Sequence, residues 1–563
     1  MTKHLITSAL PYVNGLPHLG HLVGCLLPAD VYARYLRQKK EDVLFICGTD
    51  EHGTPSEVGA DQEQTEVSVY CKKYHDLHAQ MYQGFNLSFD YFGRTSSSQN
   101  KEIVDRIFKA LDQNNLITER ITKQVYSPDD GRYLPDSYVT GTCPHCGYDK
   151  AKGDQCEHCT KVLDPTDLIN PKSVLSGSSN IEVRETKHLF LQLPKLEKEL
   201  AVWIESKKGL WPDIAYSIAC KWLKEGLQER GITRDLKWGF SVPKSGFEDK
   251  VFYVWFDAPI GYIGITKQWA DEKPEERDWK SWWLNASDVR HTEFMGKDNI
   301  PFHTISFPAT LKGTGEDWTQ VAFLKGMNYL NYAGGKFSKS AHRGVFLDDA
   351  LVEFPSDYWR YWLMANAPES DDSSFSFDLF AGVINKDLND VLGNFINRVL
   401  KMTVNNFKEQ VPPLGSVTSE EENLYAETDR LVHVYSNALE RLEFRKAVSA
   451  LREIWVLGNN YIAKTEPWKV LKTNPAYGGT ILNTALNLII LYAKLSAPII
   501  PETSQKMIEL FSAQITLNWP TGSASDYLKT LTEKETVKLS DPLFQKILPD
   551  RINELKIKYK EVE

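Results

Sequence analysis

Residues 3–47 decide the fold, and they begin with KHLITSALPYVNGLPHLGH (residues 3–21). Lys3–Leu10 has the composition of a short, mainly apolar strand, and a turn rich in proline, asparagine and glycine follows it. Apolar residues then recur three and four positions apart from Leu19 to Leu36, which predicts a helix with an interruption at Pro28. Val43–Cys47 is wholly apolar, as in a strand buried on both faces. Strand, helix and strand in this order predict an α/β fold with a parallel sheet.

The rest of the chain divides by its residue pattern. A cysteine cluster and a Ser/Gly run fall within residues 116–235, which indicates an insertion between two halves of the sheet. Strand-like runs return at Val251–Phe256, Thr304–Phe307 and Val321–Leu324. Helical spacing dominates from about residue 380, which predicts an all-α bundle, and Phe544–Glu563 has the composition of a charged helix. The expected units are 1–115 and 236–325 for the sheet, 116–235 for the insertion, 326–380 for a connecting region, 381–540 for the bundle and 541–563 for the last helix.

Bulk composition limits the class of protein. The chain has 563 residues, of which 42% are hydrophobic and 25% charged, as in soluble globular proteins of several packed units. A net charge of −10 argues against a basic coat for DNA, but it leaves room for a local RNA-binding patch. Neither a signal peptide nor a run of 18 apolar residues is evident, so we expect no membrane contact. Four clustered and four scattered cysteines suit a reducing compartment, and hence a cytoplasmic protein.

The first chemical motif is Pro17-His18-Leu19-Gly20-His21, where the first strand hands over to the first helix. A helix N-terminus offers unpaired N–H groups and a partial positive charge, both of which suit phosphate. Gly20 would let a nucleotide approach the backbone closely. His18 and His21 share one face of the first turn, where they can donate to phosphate oxygens. An isolated pair of this kind is more often a surface or capping pair, so the motif needs support from a second one.

The second motif is Lys336-Phe337-Ser338-Lys339-Ser340, which follows two glycines. The glycines allow the loop to move, and the two lysines can clamp a triphosphate and neutralise charge on a leaving pyrophosphate. Taken alone, a run of lysine and serine is usually a solvated loop. Together with the histidine motif, it predicts a nucleotide site built from two distant parts of the chain.

With both motifs, the chain resembles the class I aminoacyl-tRNA synthetases, whose signatures are His-x-Gly-His after the first strand and Lys-x-Ser-Lys-Ser after the last. The resemblance implies a Rossmann-type catalytic domain, ATP as a substrate with Mg²⁺, and contact of residues 326–380 with the tRNA stem. Catalytic roles would fall to His18, Gly20, His21, Lys336 and Lys339. Further ATP contacts would come from Pro17, Gly296, Asp298 and Ser338.

A third motif is the cluster Cys143-x2-Cys146-x9-Cys156-x2-Cys159, whose spacing can place four thiolates around one zinc ion. His145 and His158 lie between these cysteines and are possible but less favoured ligands. Four protein ligands leave no open position, so the site is expected to be structural. A zinc knuckle in such an insertion is similar to that of the methionyl-tRNA synthetases. Residues 171–180 carry no cysteine for a second knuckle, so one Zn²⁺ is expected.

Several other segments resemble the methionyl-tRNA synthetases closely, namely Ser8–Tyr12, Gly48–Thr54, Tyr253–Tyr262, and Gly296–Asp298 with Phe302 and His303. The resemblance implies that Asp50 and the backbone of Leu10 hold the α-ammonium of methionine. The side-chain pocket would be lined by Ala9, Tyr12, Trp255, Ala258, Pro259, Tyr262 and His303. Aromatic rings suit the polarizable sulfur of methionine, although Trp255 and Tyr262 would otherwise be interpreted as core residues. Asn299 departs from the pattern, because bacterial relatives often have an aliphatic residue there.

Three residues of the helical half, Asn397, Lys401 and Trp468, match the family's anticodon-reading positions. Lys401 stands where arginine is commoner, and the two differ in planar recognition. An exposed tryptophan can stack on an unpaired base, although an isolated tryptophan is more often a core residue. The resemblance extends from Lys3 to about residue 560 and does not include the appended dimerisation domain of some members, so a monomer is expected.

The reaction that the resemblance implies is activation of methionine with ATP, followed by transfer to the 3′ end of initiator and elongator tRNA for methionine. It requires alignment of two bound reactants and stabilisation of charge on phosphate, and no enzyme nucleophile. Three alternatives stay open: another class I synthetase, a nucleotidylyltransferase that shares the histidine motif, and a zinc-knuckle RNA-binding protein without catalysis. ATP–pyrophosphate exchange separates the last two from a synthetase.

Overall fold

The computed structural model describes residues 2–135, 138–153, 156, 158–159, 163–335, 337 and 343–561. Its first unit alternates strands and helices, as residues 3–47 predict. The elements are β1 Lys3–Ser8, α1 Leu19–His21, α2 Leu27–Gln38, β2 Asp42–Thr49, α3 Thr54–Gln62, α4 Val67–Gly84, β3 Tyr91–Arg94 and α5 Ser98–Gln113. The interruption predicted at Pro28 is confirmed, because a π-helical segment, Leu22–Leu26, joins α1 to α2 directly before it.

The insertion follows α5, and its described residues form two small antiparallel sheets, two α-helices and a 3-10 helix, Pro165–Asp167. Its elements are β4 Ile117–Ser127, β5 Arg132–Tyr133, β6 Val139–Thr142, β7 Ala151–Lys152, β8 Ile169–Ser173, β9 Glu182–Leu191, α6 Leu193–Glu205, α7 Asp213–Glu225, β10 Arg230–Gly231 and β11 Thr233–Arg234. One sheet has the order β10-β9-β4-β5, and the other, β7-β6-β8, flanks the cysteine cluster.

The second half of the main sheet differs in part from the sequence-based expectation. Its elements are β12 Val251–Phe252, α8 Val254–Asp271, α9 Lys280–Trp283, β13 Val289–Gly296, α10 Phe307–Gly313 and β14 Val321–Met327. The strand predicted at Val251–Phe256 is wrong beyond Phe252, and Thr304–Phe307 is helical. A short apolar run does not distinguish a strand from a buried helix, and α8 is buried along most of its length. Conversely, β13 is a buried strand that escaped notice because it carries polar residues.

The five main strands form a parallel sheet in the order β14-β13-β1-β2-β3. The strand order reverses at β1, which has β2 on one side and β13 on the other. Ligands bind at such a switch point, outside the carboxyl ends of the strands. The topology therefore directs attention to the residues that follow Ser8, Thr49 and Gly296.

A second π-helical segment, Phe302–Ser306, precedes α10. Pro28 and Pro308 stand at equivalent places, near the start of the α-helix that follows each π segment. Each proline lacks the N–H that an α-helix would use four residues back, which favours the wider turn before it. Both π segments therefore arise locally from the sequence, and both face the cavity described below.

The remaining chain is mainly helical, as predicted. A connecting region holds β15 Leu330–Tyr332, α11 Leu347–Glu353, α12 Ser356–Ala365 and β16 Ser373–Phe375. The helical half holds α13 Phe377–Val383, a π segment Ile384–Gly393, α14 Asn394–Phe407, α15 Ser419–Glu440, α16 Phe444–Thr465, α17 Pro467–Thr473, α18 Pro475–Ser496, α19 Pro501–Ile508, α20 Ala524–Tyr527 and α21 Pro549–Lys558. The last helix is shorter than the predicted Phe544–Glu563, and the predicted unit boundaries stay predictions.

A buried ion pair ties the sheet domain to the helical half. Arg360 of α12 bonds Asp30 of α2 at 2.6 Å, and both side chains are inaccessible to solvent. The same guanidinium donates to the carbonyl oxygens of Phe85, Pro498 and Ile499. Loss of one partner of such a pair costs about 3–5 kcal/mol, because the other charge stays buried. The pair therefore fixes α2, and the cavity beside it, against the helices that follow.

Among the described residues, α18 is long and apolar enough by composition to cross a membrane. It is also 89% buried inside the protein over its apolar stretch, as the central helix of a bundle would be. The bundle packs around α18, with α14 and α16 in contact with it.

Candidate active site

A cavity of ≈ 520 Å³ lies outside the carboxyl ends of β1, β2 and β13. Its lining includes thirteen of the residues that the sequence analysis singled out, namely Ala9, Leu10, Tyr12, His18, Gly20, His21, Asp50, Trp255, Ala258, Pro259, Tyr262, Gly296 and His303. Pro17 and Asp298 are described but do not line it. Lys336, Ser338 and Lys339 lie outside the described residues. The fold thus gathers residues from four segments of the chain into one site.

Asp50 presents a carboxylate to the cavity from the end of β2. Its backbone is fixed to the first loop, since its N–H donates to the carbonyl of Pro11 at 2.9 Å and its carbonyl accepts from Val13 at 3.3 Å. The side chain is only 3% exposed, and its Oδ1 has no hydrogen-bond partner in the described structure. Burial, together with the charges of Asp257 and Glu51, raises the pKa of Asp50 well above its usual value. A buried carboxylate in this state is suited to a cationic ligand.

The adjacent residue, Glu51, has the opposite environment. Its carboxylate accepts from Arg94 at 2.8 Å and from Thr49 at 3.0 Å, and Ser96 bonds its second oxygen. Glu51 therefore has a structural role, because its hydrogen bonds connect the end of β2 to the end of β3. Of the two neighbouring carboxylates, only Asp50 is directed into the cavity with an unpartnered oxygen.

Tyr262 and His303 form a hydrogen-bonded pair in the cavity wall. The Nδ1 of His303 lies 2.9 Å from the carbonyl of Asn299, so it must carry the proton and donate it. Nε2 is then the acceptor for the Tyr262 hydroxyl, at 3.0 Å. Burial lowers the pKa of His303 to about 4, so the ring is neutral at pH 7. Asn299, the residue that departs from the family pattern, thus fixes the histidine tautomer through its backbone and also lines the cavity.

Aromatic rings make the opposite wall. The rings of Trp255, near the start of α8, and Tyr12 have a T-shaped arrangement with their centroids 6.4 Å apart. Behind it, Phe302 stacks on Trp255 at 3.7 Å with an interplanar angle of 9°. Phe302 does not line the cavity, and it was quoted in the sequence analysis only as part of a matching segment. The wall is thus two rings deep.

The histidine motif forms a compact turn at the other end of the cavity. His18 caps α1, with its Nδ1 accepting the N–H of Gly20 at 3.0 Å. The Nδ1 of His21 accepts the N–H of His18 at 3.1 Å, and the two ring centroids are 4.0 Å apart. Since both Nδ1 atoms accept, each neutral ring carries its proton on Nε2, the atom that can donate to a phosphate oxygen.

The geometry of this turn also requires glycine at position 20. A Cβ at this position would lie 2.8 Å from the Cε1 of His18, closer than real contacts allow. The residue therefore has to be glycine for the His18 ring to keep its cap. Close approach of a nucleotide, the reason given from sequence, stays a prediction.

Two further aromatic residues lie at the end of the cavity that the histidine motif forms. Phe337, inside the lysine-rich motif, stacks on His18 with centroids 4.3 Å apart and an interplanar angle of 3°. The two motifs that the sequence paired are thus in direct contact. Tyr329 also lines the cavity, and its hydroxyl bonds Asp298, the carboxylate proposed for ribose. No sequence signal pointed to Tyr329.

The four clustered cysteines form a group that could hold one metal ion. All four Sγ atoms lie within 4.8 Å of one another. The Sγ distances are 3.8 Å for Cys143–Cys159 and 3.6 Å for Cys146–Cys156. Tetrahedral zinc with Zn–S bonds of about 2.3 Å requires sulfur atoms about 3.8 Å apart. The residues therefore fit zinc, whereas the ring of His158 stacks on Tyr148.

The three residues predicted to read the anticodon lie in the helical half, on α14 and α17. Lys401 is exposed and Asn397 is half-buried on α14. Trp468, on α17, is 43% exposed, which is unusual for so large an apolar side chain. The structure thus favours the interpretation of Trp468 as a surface residue over its interpretation as a core residue.

The parallel sheet, its switch-point cavity and the two motifs that meet there define a class I tRNA synthetase. The family model described as "tRNA synthetases class I (M)" matches residues 4–400, and the model "Anticodon binding domain of methionyl tRNA ligase" matches residues 411–563. The methionine–tRNA ligase of Streptomyces avermitilis is 52% identical, with 99% of each chain covered. That of Caulobacter vibrioides is 49% identical, with 98% of each covered. The chain belongs to the methionine–tRNA ligase family.

A solved structure supports the fold. The "Mycobacterium tuberculosis methionyl-tRNA synthetase in complex with methionyl-adenylate" is similar with a TM-score of 0.76. The sequences are 24% identical, and the match covers 96% of this chain and 99% of that one. The predicted fold class, a parallel-sheet catalytic domain followed by a helical anticodon-binding domain, is confirmed.

Proposed function

We propose that this chain activates methionine with ATP to form methionyl-adenylate and pyrophosphate, and then transfers methionine to the 3′ end of its tRNA. One structural observation carries the proposal beyond family membership: the buried Asp50 carboxylate, whose Oδ1 has no hydrogen-bond partner, in a cavity that also contains aromatic rings and the histidine motif. The α-ammonium of an amino acid supplies a cation for the Asp50 carboxylate. The thioether side chain of methionine suits the aromatic wall, and the phosphates of ATP suit the histidine motif.

The amino-acid end of the cavity would hold methionine as follows. Its α-ammonium would bond the free oxygen of Asp50 and the backbone carbonyl of Leu10. Its thioether side chain would lie against Trp255 and Tyr12, with the Tyr262–His303 pair at the far wall. A neutral His303 avoids placing a charge beside an apolar side chain, which supports the assignment.

At the other end, ATP would lie with its phosphates at the histidine motif. The Nε2–H groups of His18 and His21 would donate to phosphate oxygens, while Gly296 leaves open space beside the ribose. Asp298 would accept from the ribose once Tyr329 releases it. Lys336, Ser338 and Lys339 would close over the triphosphate, and Mg²⁺ would supply further charge neutralisation when bound.

In the reaction, a methionine carboxylate oxygen attacks the α-phosphorus of ATP, and the bond to the leaving pyrophosphate breaks. Negative charge grows on the phosphate oxygens, where the histidine Nε2–H groups and the two lysines would stabilise it. The cavity walls align the two reactants, so no covalent enzyme intermediate is needed. A hydroxyl of the tRNA terminal adenosine then attacks the adenylate carbonyl and releases AMP.

The tRNA contacts would be divided between the two halves. Asn397, Lys401 and Trp468 would read the anticodon of initiator and elongator tRNA, and residues 326–380 would contact the stem. Exposure of Trp468 supports stacking on an unpaired base. Replacing Trp468 with alanine should raise the KM for tRNA by about tenfold and leave pyrophosphate exchange unchanged, whereas phenylalanine should preserve most of the affinity. An unchanged KM would remove Trp468 from the anticodon site.

Cys143, Cys146, Cys156 and Cys159 would hold one structural Zn²⁺, because their sulfur spacing fits tetrahedral coordination. We expect one zinc per chain by metal analysis and loss of the metal in Cys146→Ser. Thiolate ligation also requires reduced cysteines, which supports a cytoplasmic location.

The decisive experiment is amino-acid-dependent ATP–pyrophosphate exchange, with the twenty amino acids tested separately. Exchange with methionine alone is expected. Exchange with a different amino acid would leave the reaction class but overturn the pocket assignment. No exchange with any amino acid, from folded and zinc-loaded protein, would overturn the proposed activity.

A further inference from the structure

The outer face of the aromatic wall is covered by a cation from the insertion. The guanidinium of Arg230, on β10, lies 4.6 Å from the ring centroid of Phe302. Trp255 already covers one face of that ring, and a centroid distance of 3.7 Å leaves no room between the two rings. Arg230 therefore occupies the other face. The result is a three-layer stack in which Trp255 is the cavity wall, Phe302 the middle layer and Arg230 the cover.

Arg230 differs from most arginines of this chain in its partners. No carboxylate within the described residues forms an ion pair with it, whereas a second ring, Trp222, lies 5.9 Å away. Burial lowers its pKa, and the charge of nearby Arg234 acts in the same direction. A cation that is partly removed from water and has no counter-charge interacts more strongly with an aromatic face than an exposed one does. The stack is therefore the main described interaction of this guanidinium.

The position of Arg230 is fixed by the insertion rather than by the sheet domain. Its backbone pairs with Leu191 of β9, and the next residue pairs with Phe190. β9 in turn pairs with β4 along most of the length of both strands. The insertion thus forms a rigid support that places one cation against the back of the pocket wall.

We propose that Arg230 is a positioning residue for methionine: it holds Phe302 against Trp255 and so keeps the amino-acid pocket formed before methionine arrives. The inference rests on the proposed function of the cavity. Pre-organising a wall lowers the ordering cost of binding, so the effect falls on methionine affinity. ATP contacts the other end of the cavity and is not expected to respond.

The test compares Arg230→Met and Arg230→Lys in pyrophosphate exchange. The substituted methionine side chain is unbranched, like that of arginine, but it lacks the charge and the planar group. Arg230→Met should raise the KM for methionine about 3- to 30-fold, with the KM for ATP within about twofold of wild type. Arg230→Lys should recover part of the affinity, because an ammonium retains the cation–π attraction but not the planar stack.

A matched control is available on the same insertion. The guanidinium of Arg184 lies 3.5 Å from the ring centroid of Tyr126, far along β9 from the pocket. Arg184→Met removes a second guanidinium–ring stack of the insertion, together with the ion pair of Arg184 with Glu182, and it should leave both KM values unchanged. An equal rise in the methionine KM for both variants would mean that the insertion was disturbed generally, and the proposal would be wrong.

A double-mutant cycle keeps the proposal testable if Arg230→Met also lowers stability. If Arg230 acts through Phe302, its replacement should add little once Phe302 is leucine. Fully additive effects would overturn the inference. So would an unchanged methionine KM, or a rise confined to the KM for tRNA, which would make Arg230 a contact for the RNA 3′ end. Wild-type exchange with methionine tests the proposed function separately, so the two can fail independently.

Discussion

The two ends of the cavity are built in different ways. The amino-acid end consists of the buried groups Asp50, Tyr262 and His303 with their aromatic wall, drawn from β2, α8 and a π segment. The phosphate end consists of the short turn His18–His21 and the stacked ring of Phe337, and it is more open to solvent. The groups at the first end are positioned by contacts between distant segments, whereas the two histidines of the second end are positioned by hydrogen bonds within four residues, with Phe337 stacked on His18 from outside the turn.

The difference follows from what each end would bind. An apolar side chain is recognised by a cavity that is already dry and shaped, so its walls must be buried and mutually supported. Phosphates are recognised by N–H donors and positive charge, which function at a surface and need little burial. Changes at the amino-acid end should therefore alter methionine affinity, and changes at the phosphate end should alter the rate of activation.

The largest expected effect is that of Asp50→Asn. Loss of the buried charge should raise the KM for methionine by about 100- to 1000-fold and leave the KM for ATP nearly unchanged. The pKa of Asp50 is raised in the folded protein, so the ionised group destabilises the empty fold at neutral pH. The variant should thus unfold at a higher temperature than wild type while binding methionine poorly. Steady-state exchange and thermal unfolding measure both.

The exposed Asp76→Asn, on α4, is the control for an isosteric change and should alter neither quantity. A methionine KM within threefold of wild type in Asp50→Asn would remove this residue from the substrate site.

At the phosphate end, Gly20→Ala should lower kcat by about 10- to 100-fold with little change in the KM for methionine. The new Cβ would meet the His18 ring at 2.8 Å and displace the imidazole from its cap. Gly382→Ala, also in a helix, meets nothing within 4 Å and should be silent. A normal kcat in Gly20→Ala would show that the His18 geometry is not needed for activation.

The pH dependence of methionine affinity distinguishes the two ends in the wild-type chain. Burial, Asp257 and Glu51 all raise the pKa of Asp50. The proposed contact with the α-ammonium of methionine requires the ionised form. Protonation of Asp50 therefore competes with binding, and affinity falls as pH decreases through the raised pKa. The KM for methionine should therefore rise as the pH is lowered from neutral, because the raised pKa of Asp50 places its protonation above the usual carboxyl range. Asp50→Asn should abolish that trend, and a trend retained in the variant would assign it to another group.

The smallest expected effect is that of Tyr262→Phe. Loss of the Tyr262 hydroxyl leaves the Nε2 of His303 buried without a donor, which costs about 1 kcal/mol and should raise the methionine KM about fivefold. Tyr82→Phe is the matched control, because the Tyr82 hydroxyl is buried and has no described partner. That change should be neutral or slightly stabilising. Equal effects of the two substitutions on KM would argue against a specific role for the Tyr262 hydroxyl.

The residues of the phosphate end are easier to predict from the sequence than those of the amino-acid end. The histidine motif spans five residues, and its capping geometry depends only on neighbours within the turn. The pocket residues, by contrast, come from segments hundreds of positions apart, and Trp255 and Tyr262 have the composition of core residues. Only the resemblance to a family pointed to them. The strand predicted over Val251–Phe256 was wrong beyond Phe252 because a short apolar run alone does not distinguish a strand from a buried helix.

By itself, the sequence determined the features that arise from local chemistry. These are the βαβ start, the two phosphate motifs, the cysteine spacing and the wider helical turns before Pro28 and Pro308. Tertiary structure alone decided that Asp50 rather than Glu51 faces the cavity, that Tyr329 bonds Asp298, and that Arg230 covers Phe302. The reason is physical: a cap or a turn depends on residues a few positions apart. The protonation, burial and partners of a side chain depend on whatever the fold brings beside it.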